Sequence, residues 1–167
     1  MQRMVAEGAI GEVCLANMQK SYRLGDRPGW QRNRATFSGI IPFIGIHALD
    51  LIRWCTGREF VQGAAWCANT GHPEMGALED NACVIVKLDN TGSACAHLDY
   101  CRPPAAPTHG DDRLRIVGSA GVLEAKDNGA RVIYLHPEEG ERDLELDQRR
   151  ALLVDFVGNI RGENPSW

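Results

Sequence analysis

The chain has no excess of positive charge and no long hydrophobic run. Its 167 residues carry a formal net charge of −4, so the sequence lacks the basic patches that mark nucleic-acid-binding domains. No apolar stretch approaches the roughly 18 residues of a membrane-spanning helix, and the first residues lack the charged-then-apolar pattern of a signal peptide. We therefore expect neither nucleic acid nor a membrane among its partners.

Paired cysteine motifs are also missing. The six cysteines show no Cys-x-x-Cys spacing and lie inside apolar runs, where free thiols behave as small hydrophobic side chains. In a chain of this length without an export signal, this pattern favours reduced thiols and a cytoplasmic location over a secreted disulfide framework.

Several catalytic and cofactor signatures are absent as well. The sequence has no Gly-x-Ser-x-Gly elbow, no His-Glu-x-x-His pair and no Gly-x-Gly-x-x-Gly turn, the motifs of serine hydrolases, zinc proteases and dinucleotide-binding folds. Gly118-Ser119-Ala120-Gly121 has the wrong spacing for a phosphate loop, and no helix follows it. We interpret this segment as a turn between two strands.

What the sequence does have is the composition of one globular domain, with 44% hydrophobic and 24% charged residues. Helical spacing of apolar residues predicts helices over 1–7, 42–55 and 148–161, the last capped by Asp147. Alternating apolar residues predict strands near 12–20, 60–68, 81–89, 93–101, 113–118, 121–126 and 131–136.

The order of these elements predicts the fold class. Asp89-Asn90-Thr91-Gly92 joins two strands as a hairpin, and most of the other strands follow one another with only short connections. Hairpin-linked strands after a single strand and helix indicate an α+β fold: an open, mostly antiparallel β-sheet with helices packed on one face.

The predicted helix over 42–55 carries a polar stripe beside an apolar one. Phe43, His47, Asp50 and Trp54 share one helical face. Imidazole titrates near neutral pH, so one hypothesis makes His47 a general acid/base that Asp50 orients. The alternative makes both residues a satisfied polar pair that anchors the helix to the preceding loop.

Two further clusters are candidate sites. The loop over 24–39 and its flank could bind an anion or stack on a planar ring, or could simply be a solvated basic loop; its residues are Arg23, Arg27, Trp30, Arg32 and Arg34. Same-face residues of the strand at 93–101 have ligand chemistry for a divalent metal, but a structural role is favoured because no second ligand pair is evident; they are Cys95, His97, Asp99 and Cys101.

Several segments occur in an informative order. They are a helix-to-strand junction at 7–13, Arg27-Pro28-Gly29-Trp30, the helix segment 39–54, Glu79-Asp80-Asn81-Ala82 followed by Asn90-Thr91-Gly92, the strand turn 115–121 and a late helix at 155–165. This ordered set resembles the C-terminal domain of the glucose–fructose oxidoreductase / inositol dehydrogenase (Gfo/Idh/MocA) family over nearly the whole chain.

The resemblance implies an NAD(P)-dependent oxidoreductase acting on a sugar, polyol or related hydroxy compound. It implies that an N-terminal Rossmann domain binds NAD or NADP, and that an open sheet of the dihydrodipicolinate-reductase-like type lines the substrate cleft. It also implies a homo-oligomer built through the open sheet face. His47 takes the position of the histidine that assists proton transfer at the substrate hydroxyl, and Arg27, Trp30 and Asp50 are expected to contact the substrate.

The chain departs from the family pattern in ways that affect activity. Phe43 stands where the family has an acidic residue, and the family's Glu-Lys-Pro segment, its Rossmann domain and the region after Pro165 are absent. We therefore expect residues 1–167 to be a single C-terminal substrate-binding and oligomerisation domain that neither binds dinucleotide nor turns over substrate alone. The alternatives are a catalytically inactive sugar-binding module and a structural dimerisation domain.

Overall fold

The computed structural model describes residues 1–146 and 152–163. The helices of this part are α1 (Gln2–Ala6), α2 (Ile46–Thr56) and α3 (Leu152–Ile160). The strands are β1 (Val13–Tyr22), β2 (Phe60–Ala68), β3 (Asn81–Leu88), β4 (Ser93–Asp99), β5 (Gly110–Gly118), β6 (Gly121–Lys126), β7 (Arg131–His136) and β8 (Gly140–Asp143).

These strands form one open sheet in the order β2-β3-β4-β1-β5-β6-β7-β8. Neighbouring strands run antiparallel except β1 and β4, which are parallel. Because β1 lies between β4 and β5, it joins two antiparallel meanders into a single sheet. The predicted hairpin is confirmed, since β3 pairs with β4 in antiparallel register. The predicted fold class is also confirmed, and the sheet contains one parallel pair of strands, β1 and β4.

One face of the sheet carries the hydrophobic core. Side chains alternate between the two faces along each strand, so every second residue points toward α2. Met18, Leu98, Ile116 and Leu123 come from four different strands, and Ile52 comes from α2; each is at most 2% exposed. Full burial of one such side chain contributes about 1.5–3 kcal/mol, which is how this layer holds α2 on the sheet.

The opposite face of the sheet is open to solvent. Residues paired in register across neighbouring strands share a face, and this face presents Trp66, Ile85 and Leu15, which are 67%, 48% and 37% exposed. The predicted alternation within β3 is confirmed, because Val84 and Val86 are buried while Ile85 is not.

The structure departs from the predicted elements in three places. The sequence analysis missed β8, whose residues are all exposed and which has no apolar alternation to reveal it. β5 begins at Gly110, earlier than predicted, and β4 ends at Asp99. Arg23 and Cys101 continue beyond the strand ends only as an isolated antiparallel bridge.

The last helix is present but does not cover the sheet. The predicted helix over 148–161 is observed as α3, while the predicted cap Asp147 lies outside the described residues. Leu153, Phe156 and Ile160 of its predicted apolar face are 71%, 59% and 72% exposed. The expectation that this helix shares in covering the sheet is therefore wrong for the described residues.

The structure bears on two features of the sequence, the lack of long apolar runs and the unpaired cysteines. Among the described residues, no helix is long and apolar enough to cross a bilayer. All six cysteines are free thiols, and burial raises the pKa of the Cys55 thiol to about 11. Cys55 is therefore neutral at physiological pH and acts as a core side chain.

Candidate functional site

His47 lies in the first turn of α2, directly after a wider π-helical turn formed by Ile41–Gly45. Pro42 suits the start of this turn because proline has no backbone N–H to leave unpaired. Single π turns inside helices occur frequently at functional sites. The predicted plain α-helix over 42–55 is therefore wrong in its first turn, because the spacing of apolar residues does not reveal one widened turn.

The polar stripe of α2 faces solvent. Ala48 and Ile52 are buried on the sheet side, as predicted, whereas His47 and Asp50 are exposed. Among the described residues, the side chains of His47 and Asp50 form no hydrogen bond or ion pair with each other or with a third residue. The hypothesis of a satisfied polar pair is therefore wrong, since in water these side chains gain little from meeting each other.

An aromatic cluster joins the 24–39 loop to the turn before His47. Trp30, Phe37 and Phe43 meet edge to face, with ring centroids 6.0 Å apart for Trp30–Phe37, 6.3 Å for Trp30–Phe43 and 5.4 Å for Phe37–Phe43. Phe37 is buried, while Trp30 remains 47% exposed. Edge-to-face contacts of this kind fix the loop on the helix start. They also give Phe43 a packing role in place of a polar one.

Glu79 anchors the chain just before the π turn. Its carboxylate accepts hydrogen bonds from the Arg34 guanidinium at 2.7 Å and from the Ile40 backbone N–H at 2.9 Å. Gly39 has φ of +108°, and a Cβ there would lie 2.5 Å from Glu79 Oε2, so this close approach requires glycine. The interpretation of the loop as merely solvated is wrong for Arg34.

Arg27 lies over an aromatic ring of the sheet. Its guanidinium carbon is 4.2 Å from the centroid of the Tyr100 ring, within cation–π range. Tyr100 is 1% exposed, and burial raises the pKa of its phenol. Tyr100 carries no distinct signal in the sequence, because it continues the apolar alternation of β4 as an ordinary core residue would.

The alternative metal cluster on β4 does not assemble. The described residues hold no group of three or more His, Cys, Asp and Glu side chains placed to bind a metal ion. Asp99 instead accepts hydrogen bonds from the Ser21 hydroxyl at 2.9 Å and from the Cys101 N–H at 3.0 Å. His97 is exposed on the open face of the sheet, away from α2.

These side chains come from the 24–39 loop and from the start of α2, which the aromatic cluster joins. An exposed imidazole can exchange a proton with a hydroxyl group, while the Trp30 and Phe43 rings offer an apolar surface beside it. Arg27, a residue of the same loop as Trp30, adds a positive charge. The arrangement is typical of one wall of a ligand cleft.

Comparison with known proteins gives this arrangement a context. Residues 1–124 match the family model described as the GFO/IDH/MocA C-terminal domain. The chain belongs to this family. The resemblance inferred from the ordered motifs is thus confirmed. The π turn, α2 and the first five strands all lie within the matched residues.

Individual relatives agree with the family assignment. The chain is 25% identical over 164 residues to the rhizopine catabolism protein MocA of Rhizobium meliloti, covering 96% of this chain and 46% of that protein. It is 41% identical to a Thermotoga maritima protein assigned as an oxidoreductase, with a TM-score of 0.91 over 98% of this chain and 49% of that one.

A more distant structure shares the fold alone. Levoglucosan dehydrogenase in complex with NADH and L-sorbose is 14% identical, with a TM-score of 0.74 over 87% of this chain and 42% of the dehydrogenase. The chain spans about half the length of the relatives it matches. The GFO/IDH/MocA domain described above therefore corresponds to one part of those larger proteins.

Proposed function

We propose that residues 1–167 are the substrate-binding and oligomerisation domain of an NAD(P)-dependent oxidoreductase acting on a sugar, a polyol or a related hydroxy compound. The observation that carries the proposal is the exposed imidazole of His47, which stands at the start of α2 inside the part that matches the family. A cytoplasmic location fits this role and stays a prediction.

His47 is the proton-transfer residue in this proposal. A bound nicotinamide supplies the hydride acceptor or donor. The sequence offers no glycine-rich phosphate-binding turn, so we assign the dinucleotide to a separate nucleotide domain. The His47 imidazole takes the proton of the reacting hydroxyl, and Trp30 and Asp50 contact the remaining substrate from the neighbouring surface of the loop and helix.

A second candidate function follows from Phe43. Its side chain packs against Phe37 and Trp30 and cannot take up a proton or bind a hydroxyl. A catalytically inactive sugar-binding or dimerisation module is therefore the alternative proposal. The oxidoreductase proposal requires that His47 transfer the proton without an acidic partner at position 43. The inactive-module proposal requires that it cannot.

Dinucleotide titration separates these functions when it is done on a protein that carries the proposed nucleotide domain together with this chain, called the full-length protein below. We expect NADH or NADPH to bind with a dissociation constant of about 1 μM to 1 mM, the usual range of enzyme KM values, observed as quenched protein fluorescence. The isolated 167-residue chain serves as the control and is expected not to bind. If the full-length protein also fails to bind either dinucleotide, the oxidoreductase proposal is rejected.

The open sheet face supports a role in self-association. Apolar side chains on both faces of a sheet favour cover on both, and α2 covers only one. Trp66 of the edge strand β2 and Ile85 of the neighbouring β3 are large, exposed apolar residues that the strand register places on the open face. A second copy of the chain related by two-fold symmetry is the usual cover for such a surface.

Replacing Ile85 with lysine is expected to convert the oligomer to a monomer, because a buried ammonium in the interface has no partner. Size-exclusion chromatography with light scattering at micromolar concentration measures this. Leu146→Lys is the matched control, since Leu146 is 46% exposed against 48% for Ile85 but lies beyond β8. A monomeric wild-type protein, or equal behaviour of the two variants, contradicts the proposed interface.

A further inference from the structure

We propose that Arg27 and Tyr100 form a subsite for an anionic group of the substrate, a carboxylate or a phosphate. The proposal rests on the proposed oxidoreductase function and narrows its substrate to acidic hydroxy compounds. It starts from two unpaired polar groups. A half-buried guanidinium lies over a buried phenol, and among the described residues neither the guanidinium nor the phenol hydroxyl has a hydrogen-bond or ion-pair partner.

Arg27 is unlike other arginines of the chain. Arg34, Arg53 and Arg115 each bind a carboxylate, at 2.7, 2.6 and 2.9 Å. Arg27 forms neither an ion pair nor a hydrogen bond within the described part of the chain, and its Nε is buried without a partner. The adjacent acid, Asp26, is exposed and does not pair with it. A partly desolvated cation without a counter-charge favours an anionic ligand.

Tyr100 supplies an independent observation. Its ring is 1% exposed, and its hydroxyl is buried without a hydrogen-bond partner in the described structure. Buried hydroxyls are normally satisfied, and Tyr22, close by, does bind the Asp112 carboxylate at 3.0 Å. Because burial raises the pKa of Tyr100, its hydroxyl keeps its proton and can donate it in a hydrogen bond to an anion.

The neighbouring Arg23 is not part of this subsite. It pairs with Cys101 through an isolated β-bridge, so its side chain lies on the face of the sheet opposite to that of Tyr100, and one of its nitrogens donates to the Ala106 carbonyl. The unsatisfied Nε of Arg27 and the unsatisfied hydroxyl of Tyr100 are the two donors that the subsite offers to an anion.

Chain neighbours of both subsite residues contact the π turn that leads into His47. Tyr100 follows Leu98 on the same face of the sheet, and Leu98 Cδ1 would lie only 2.7 Å from a Cβ at Gly45. Arg27 precedes Trp30, whose ring packs on Phe43. A substrate whose hydroxyl meets His47 can present its anionic group to Arg27.

Calorimetric titration of the full-length protein with matched ligands tests the subsite. The probes are D-glucuronate and D-glucose 6-phosphate, with D-glucose as their neutral counterpart. We expect one of the anions to bind roughly 10- to 100-fold more tightly than glucose, the range for a charge-assisted hydrogen bond. Whichever anion is preferred distinguishes a carboxylate from a phosphate. Failure of both anions to bind, or equal binding of glucose, overturns the proposal.

Variants assign the preference to these residues. Arg27→Gln is expected to abolish the preference for the anion, and Tyr100→Phe to reduce it roughly 3- to 10-fold, with little change in glucose binding. Arg32→Gln, at an exposed arginine of the same loop, is the matched control and is expected to keep the preference. Equal losses in Arg27→Gln and Arg32→Gln would overturn the subsite in favour of diffuse charge attraction.

The dinucleotide titration reports on the underlying function separately. A protein that binds no NADH or NADPH but prefers the anion through Arg27 refutes the oxidoreductase and keeps the subsite. A protein that binds dinucleotide but shows no preference for the anion refutes only the subsite.

Discussion

Replacing His47 with alanine in the full-length protein is expected to lower kcat/KM by about 10²–10⁴-fold, the usual contribution of general acid–base catalysis. The effect should fall mainly on kcat, because the imidazole acts on the reacting proton more than on ground-state binding. Affinity for NADH or NADPH should not change. Steady-state kinetics with a substrate of the wild-type enzyme measures the loss.

His136→Ala is the matched control for this experiment. His136 ends β7, and its Nδ1 accepts hydrogen bonds from the backbone N–H groups of Glu138 and Glu139. The variant therefore removes one imidazole that is not on α2. This variant should keep wild-type kcat/KM. If the His47 variant also keeps it, the imidazole has no part in proton transfer and the inactive-module proposal gains support.

The largest effect on stability is expected at Asp80. This carboxylate is fully buried and accepts backbone N–H groups of Thr70, Gly71 and His72 at 3.1, 2.5 and 2.8 Å, with the Asn81 amide at 2.6 Å. Desolvation by burial raises the pKa of Asp80, but these donors outweigh it and hold the pKa below its usual value. Asp80 thereby ties the loop before Pro73 to the start of β3.

Asp80→Ala should lower the free energy of unfolding by about 3 kcal/mol, because it leaves several buried donors without their acceptor. Urea unfolding at pH 7 measures the change. Asp80→Asn, which keeps one acceptor oxygen, should cost less. Asp127→Asn, at an exposed carboxylate, should stay within about 0.5 kcal/mol of wild type. Equal stability of the Asp80 and Asp127 variants would show that the donor cluster carries little energy.

The advantage of wild type over Asp80→Asn should also depend on pH. An aspartate in the unfolded chain has a pKa of about 3.9, and that of folded Asp80 lies lower. The stabilisation is therefore complete above the unfolded value and is lost as pH falls through the folded value. Urea unfolding of both proteins between pH 6 and pH 3 should show the difference shrinking on the acid side. A difference that grows toward low pH would contradict the assignment.

Periodicity alone was enough to predict most of the sheet. β2, β6 and β7 begin and end where the sequence predicted them. β6 and β7 each carry buried apolar residues, whereas β2 buries none and is held by its pairing with β3. β8 escaped prediction because its four exposed residues bury nothing. The placement of β1 between β4 and β5 depends on tertiary pairing, for which neither strand carries a local signal.

The site was only partly accessible to sequence reasoning. The face shared by His47 and Asp50 follows from helical geometry, and both side chains are exposed in the structure. Their mutual contact does not follow, because solvation of both side chains competes with it. The anchoring of Ile40 by Glu79 and the stacking of Arg27 on Tyr100 join residues far apart in sequence, so neither could be found from spacing.

The most direct measurement is a crystal structure of the full-length protein with a dinucleotide and a hydroxy substrate bound. The account predicts the substrate's reacting hydroxyl within about 3.2 Å of a His47 ring nitrogen, with the nicotinamide on the opposite side of the reacting carbon. A structure that places nicotinamide and substrate against another surface, and leaves His47 in bulk solvent, would contradict it.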